Sequence, residues 1–277
     1  MAIFCASFIS FANITIEFSL TDIVIIGSGH VANVMGRKFL ASGHRVVQVV
    51  ARNKQKGATL AKLLNASYSP DFTSARQDAL LCLVAISDDA LPELHRHLSL
   101  GRTLVAHTAG SVPASVLEHV SRNYGVLYPM QTFRAETERI PEFPLLVDGN
   151  TPETRTMLMD FAASVSSSVV HANDGYRRKM HLAAVATGNF SNHLYALVQD
   201  YCIKEKVNFD LLLPMLREII GKLEYGEAAR NQTGPAIRND VQTLNAQRTM
   251  LADHPELASI YDVMSDSIYR YHRQSGK

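Results

Sequence analysis

Gly27, Gly29 and Ala32 stand in a GxGxxA spacing directly after the apolar run Asp22–Ile26. A strand that stops at such a turn and feeds a helix can hold a phosphate-containing ligand. Gly27 permits the tight turn, and Gly29 lets backbone N–H groups approach a pyrophosphate. The helix over Val31–Leu40 points its positive end at that anion. Ala32 is small enough for close helix–strand packing. Gly27, Ser28, Gly29, His30 and Val31 are therefore the candidate pyrophosphate-binding residues, against the plainer reading of a structural turn.

The second apolar run, Gly43–Val50, ends in Ala51, Arg52, Asn53 and Lys54. A carboxylate here would accept hydrogen bonds from a ribose 2′-OH, and none is present. Arg52 offers a planar fork for a 2′-phosphate and a surface on which adenine can stack, Lys54 adds charge, and Asn53 lies between them. The expected cofactor is NADP. The competing reading is a solvated basic turn after a strand.

Later runs end in polar residues as well. Ala79–Ile86 leads to Ser87, Asp88 and Asp89. Thr103–His107 leads to Thr108, Ala109 and Gly110. Gly125–Tyr128 leads to Gln131 and Thr132. Ligands of open α/β sheets bind beyond the carboxyl ends of the strands. Ser87, Asp88, Thr108, Ala109 and Gly110 are thus expected beside the nicotinamide and its ribose, and Gln131 and Thr132 near a substrate. His107 reads equally as a satisfied strand-end histidine, and Asp88 and Asp89 as helix caps.

Two further groups carry polar chemistry. On a helix over Tyr176–Lys204, His181, Val185, Gly188, Asn189, Asn192 and Ala196 fall within an arc of about 100°. That face suits a ligand cleft or hydrogen bonding between domains. In Gln232–Asp240, Thr233 can cap a helix that Pro235 begins, and Arg238 can pair with Asp240. That segment also reads simply as a well-made helix start.

The elements that must position these groups alternate between strand and helix as far as residue 173. Helices are expected over Gln55–Leu64, Leu91–Leu98 and Pro152–Val165, the last capped by Thr151. Last strands are expected at Leu145–Val147 and Ser168–His171. The fold class is α/β, an N-terminal doubly wound Rossmann domain over 1–173. An all-α domain follows over 174–277, with helices Tyr176–Lys204, Asp210–Tyr225, Pro235–Ala252 and Pro255–His272 and a polar break over Gly226–Gly234. About 100 helical residues make a marginal core alone, so a homodimer through this domain is expected.

The chain has 277 residues, 47% of them hydrophobic, and a net charge of +1, which gives no electrostatic case for nucleic acid or an anionic membrane. Cys5, Cys82 and Cys202 show no metal-ligand spacing and read as reduced thiols of a cytoplasmic protein, with no metal site. Residues 1–20 carry no targeting pattern. They read as an extra N-terminal segment, or as sequence ahead of the true start.

Ile25–Ala32, His107–Pro113, Tyr128–Phe133, His181–Val185, Asn189–His193 and Gln232–Ala236 together resemble bacterial Rossmann-like proteins classed as NADP oxidoreductases, whose C-terminal domain has no assigned function. The resemblance runs from about residue 20 to the end of the chain. More distantly, the chain is similar to ketopantoate reductase, pyrroline-5-carboxylate reductase and the 3-hydroxyacid dehydrogenases. In ketopantoate reductases the first C-terminal helix carries a catalytic Lys with Asn four and eight residues later. The matching positions here are His181, Val185 and Asn189. The resemblance implies hydride transfer between NADPH and a small polar carbonyl, imine or hydroxy acid. His181 would donate the proton, with Asn189, Asn192, Gln131, Thr132 and Thr233 orienting the substrate. The alternative is a non-catalytic NADP-binding sensor, which the missing Lys favours.

Overall fold

The computed structural model describes residues 21–136 and 139–275. Cys5 and the N-terminal segment 1–20 lie outside them. The described chain divides into two compact units, up to Ala184 and from Val185 onward.

The first unit begins with β1 (Asp22–Ile26), α1 (His30–Ala41), β2 (Arg45–Val50), α2 (Lys54–Leu63) and β3 (Ser67–Ser69). It continues with β4 (Leu81–Val84), β5 (Leu104–His107), β6 (Asn123–Pro129), β7 (Leu145–Gly149), α3 (Pro152–Val165), β8 (Val169–His171) and α4 (Asp174–Ala184). The strands form one sheet in the order β3-β2-β1-β4-β5-β6-β7-β8. All pairs are parallel except β6 with β7. The chain reverses direction across the sheet between β1 and β4, so the crevice of a doubly wound fold opens beyond their carboxyl ends.

The pleat sends alternate β1 side chains to opposite faces. Ile23 and Ile25 join Met35 and Phe39 of α1, Leu60 of α2 and Leu158 of α3 in one core cluster. Val24 and Ile26 join Leu91, Leu94, Leu98 and Leu117 in another. Over β1, β4 and β5 the second face is covered by short 3-10 turns at Asp88–Ala90 and Leu94–Arg96 in place of the expected helix Leu91–Leu98, and Met180 of α4 packs on it over β6 and β7. Pro92 has no N–H to give the Asp88 carbonyl, so bonding restarts at Leu91. The α3 helix has the expected bounds, and Thr151 accepts from the Thr154 N–H as its cap.

The second unit is helical: a π-helical turn (Val185–Phe190), α5 (Ser191–Lys204), α6 (Leu213–Lys222), α7 (Pro235–Arg238), α8 (Val241–Met250) and α9 (Pro255–Ser275). The expected helix Pro235–Ala252 is broken at Asn239, whose φ of 54° is left-handed. Asp240 then caps α8, accepting from the Thr243 N–H and Oγ1. Arg238 makes no close ion pair with Asp240, though its charge, after the Thr243 hydrogen bonds, helps hold the Asp240 carboxyl below its usual range. The cap of α7 is Gly234 rather than Thr233, with no side-chain hydrogen bond. Among the described residues, no helix is long and apolar enough to cross a membrane.

Candidate functional site

Gly27 and Gly29 are glycines for different reasons. At Gly27 φ is 121°, and a Cβ would stand 2.1 Å from the Ala85 carbonyl oxygen. The backbone itself therefore demands glycine, and the Gly27 N–H ties the turn to Val50 O at 2.8 Å. At Gly29 φ is −81°, which any residue can adopt, and a Cβ would meet nothing within 4 Å. The space over Gly29 is open in front of α1, whose first turn has no side-chain cap and no acidic residue. The free N–H groups of that turn and the open approach fit a pyrophosphate group. Ala32 is fully buried against the sheet.

A cleft of about 590 Å³ opens here in the first unit. It brings together Gly27, Ser28, Gly29, His30 and Val31 with Arg52 and Asn53, then Ser87, Asp88, Thr108, Ala109 and Gln131. Arg52 is exposed and has no hydrogen-bond or ion-pair partner among the described residues, so its guanidinium is available to a ligand. Asn53 also spends its side-chain oxygen capping α2 through the Lys56 N–H at 2.9 Å. His30 is held from behind, its Nδ1 accepting from the Ala135 N–H at 2.9 Å. Asp88 accepts from the Ser111 hydroxyl at 2.7 Å instead of capping a helix. Phe72 and Phe133 also line the cleft and were not among the expected residues. Phe133 ends the segment Tyr128–Phe133. Phe72 follows a three-residue strand too short for a pattern.

Gly110 lies outside that lining, and its own role is steric. A Cβ there would fall 2.4 Å from His181 Nδ1. The His181 ring therefore rests directly on the loop that carries Thr108 and Ala109 into the cleft. Tyr128 Oη lies 3.0 Å from the same Nδ1, with the two rings edge to face. Burial pushes the Tyr128 phenol up, against the opposing pull of the Arg177 charge.

His107 is the satisfied strand-end histidine. Its Nδ1 accepts from the Ala109 N–H at 3.1 Å and its Nε2 faces Pro113 O at 3.3 Å. Burial, helped by the Arg177 charge, pulls its pKa down to about 4. Arg177 is itself fully buried. It donates to Val112 O and pairs with Asp174 at 2.7 Å, while Asp174 also accepts from the Ala114 N–H. Arg177 Nε and Nη1 have no partner. This polar lattice fixes the loop 108–114 on which His181 sits. The spacing of Arg177 one helical turn before His181 was the available signal for it.

The other expected residues are not gathered at this place within the first unit. Thr132 is exposed beside Gln131, whose oxygen accepts its N–H. Asn189 and Asn192 belong to the second unit and are exposed. The π-helical turn between His181 and Asn192 also breaks the uniform 100° step that put them on one arc. Thr233 lines an apolar cavity of about 500 Å³ within the second unit, with Leu194, Val198 and Met264. Among the described residues no group of three or more His, Cys, Asp or Glu could hold a metal. Cys82 and Cys202 are free and buried, and burial raises the Cys82 thiol.

Comparison with known proteins bears on this geometry. The family model described as "NADP oxidoreductase coenzyme F420-dependent" matches residues 22–110, and the model of a domain of unknown function (DUF2520) matches residues 143–268. A "putative NADP oxidoreductase" from Bacteroides fragilis is 36% identical, with 91% of this chain and 98% of that one covered and a TM-score of 0.85. An imine reductase from Myxococcus stipitatus, solved with NADP+, is 15% identical over 92% of this chain and 95% of its own, with a TM-score of 0.62. A 1-pyrroline-5-carboxylate reductase from Streptococcus pyogenes is 13% identical over 91% and 99%, with a TM-score of 0.60. At such identities the last two share the fold alone. No curated protein matches the chain.

Proposed function

Because the chain belongs to the family that joins an N-terminal NADP oxidoreductase domain to a C-terminal DUF2520 domain, we propose that it is an NADP-dependent oxidoreductase acting on a small polar carbonyl, imine or hydroxy acid. The observation that carries the proposal is a cleft in the first unit that joins Arg52, the open front of α1, Thr108 and Ala109, with His181 packed on the adjoining Gly110. In this reading the N–H groups of α1 hold the pyrophosphate and Arg52 takes the 2′-phosphate. The bound nicotinamide supplies or receives hydride. His181 provides the proton at the substrate's oxygen or nitrogen. Gln131, Thr132, Asn189, Asn192 and Thr233 are the polar groups proposed to orient the substrate. A homodimer formed through the second unit is part of the same proposal.

The test is NADPH oxidation, followed at 340 nm, with glyoxylate, pyruvate and 1-pyrroline as probes. The His181→Ala variant is expected to lose at least about a hundredfold in turnover while binding NADPH as before, because a general acid contributes about that much. Unchanged turnover in His181→Ala sinks the assignment of the proton donor. Absence of turnover in the unmodified protein with every probe, alongside tight NADPH binding, favours a cofactor sensor.

A further inference from the structure

We propose that Tyr128 is a positioning residue for His181, holding its ring in one orientation through both protonation states. The proposal rests on the reading of His181 as the proton donor. Three observations carry it. Tyr128 Oη lies 3.0 Å from Nδ1, the nitrogen that also abuts Gly110. Tyr128 is buried near the end of β6, where it pairs with Leu146 of β7, so its backbone is fixed by the sheet and its ring by burial. Gly110 leaves room for the imidazole and for nothing between loop and ring. The ring is thus held between a backbone surface and one hydroxyl, and Nε2 is the nitrogen left for a substrate.

A phenol can donate and accept, which suits a ring that gains and loses a proton. Burial keeps the Tyr128 proton in place at neutral pH. When His181 is neutral, Oη–H donates to Nδ1 and the imidazole carries its proton on Nε2. When His181 is protonated, the hydroxyl rotates and accepts from Nδ1–H. In the transfer the Nε2–H bond breaks and its electron pair stays on Nε2. The proton passes to the substrate oxygen or nitrogen, which holds the electron pair freed as hydride from the nicotinamide reaches the adjoining carbon. The step leaves a neutral ring with its proton on Nδ1; after product leaves, water returns a proton to Nε2, and loss of the Nδ1 proton to solvent restores the resting Nε2–H form to which Oη–H donates. A tautomer set by the partner of the other nitrogen is the general behaviour of histidine.

The experiment is long-range ¹⁵N–¹H correlation of the imidazole nitrogens at pH 8.5, with the His181 signals identified by their loss in His181→Ala. The unmodified protein is expected to show the Nε2–H tautomer of His181. Tyr128→Phe keeps the ring and removes the hydroxyl. It is expected to give a mixture of tautomers, with kcat about tenfold or more lower on whichever probe is turned over and NADPH affinity unchanged. A dominant Nδ1–H tautomer in the unmodified protein overturns the proposal without recourse to a variant. So does a Tyr128→Phe protein with the original tautomer and turnover. Full turnover in His181→Ala, with the tautomer pattern as expected, is instead the failure of the proton-donor reading and reduces the Tyr128 contact to a structural one.

Discussion

His107 and His181 both touch the loop 108–114 and meet different surroundings. Both were legible as chemistry-bearing residues, but the residue types alone could not separate them. His107 is enclosed, with both ring nitrogens facing backbone groups of that loop. His181 is only half-buried, and among the described residues its hydrogen-bond partner is Tyr128. The difference comes from the close turn at Gly110 and from Arg177, whose buried charge disfavours a second cation. The consequence for His107 is a pH dependence of stability. Its folded pKa of about 4 lies below the ordinary value of 6.5. Between the two, the unfolded chain binds a proton that the folded one does not. The stability is therefore fully present above pH 6.5 and is lost as pH falls toward 4, by about 3 kcal/mol. His44, also lowered by burial, acts in the same direction. Urea unfolding at pH 7.5 and 4.5 should show this loss, with His107→Gln reducing it. An equal slope in the variant contradicts the assignment to His107.

At the scale of elements, α3 and every strand but β3 were readable because apolar runs and the Thr151-Pro152 start are local signals, whereas β3 (Ser67–Ser69) is three residues without an apolar run. The misread helices share a cause. Pro92 and Asn239 interrupt periodicity that the apolar pattern continues, and a single residue that withholds an N–H or takes positive φ decides the outcome. The π-helical turn at Val185–Phe190 leaves no compositional mark, so the single face bearing His181, Asn189 and Asn192 was drawn on a uniform helix. The start of α1 carries the sharpest element-scale prediction. Gly29 has ordinary φ and free space for a Cβ. Gly29→Ala should fold with an unchanged Tm, yet lose about tenfold or more in NADPH affinity, because the methyl fills the approach to the helix N–H groups. Calorimetry and a fluorescence titration on the same sample separate the two effects. Unaltered affinity contradicts the pyrophosphate site.

At the scale of the whole molecule, the change to helical pattern near residue 173 marks the start of α4, and the compact units divide after Ala184, α4 packing Arg177 and His181 on the loop 108–114 of the first unit. Surface properties were the least legible, since an apolar helix face looks the same whether core or partner covers it. In the second unit Leu211, Met215, Ile219, Leu223 and Tyr225 are exposed, Tyr225 by 89%. An exposed patch of this kind marks an interaction surface, and the proposed occupant is a second copy. Light scattering coupled to gel filtration should give twice 30.6 kDa at micromolar concentration, and Ile219→Glu should lower it. A monomer across that range removes the homodimer.

Cofactor selection is the central claim, and it rests on Arg52 lining the cleft at the end of β2, where the segment Ala51–Lys54 supplies no carboxylate. The most direct measurement is a nicotinamide-fluorescence titration of the unmodified protein and of Arg52→Ala with NADPH and with NADH. NADPH should bind more tightly than NADH, and the variant should lose about tenfold or more for NADPH with little change for NADH, as expected for a charge-assisted contact to the 2′-phosphate. Equal losses for both cofactors contradict the selector role of Arg52, and no binding of either contradicts the dinucleotide site itself.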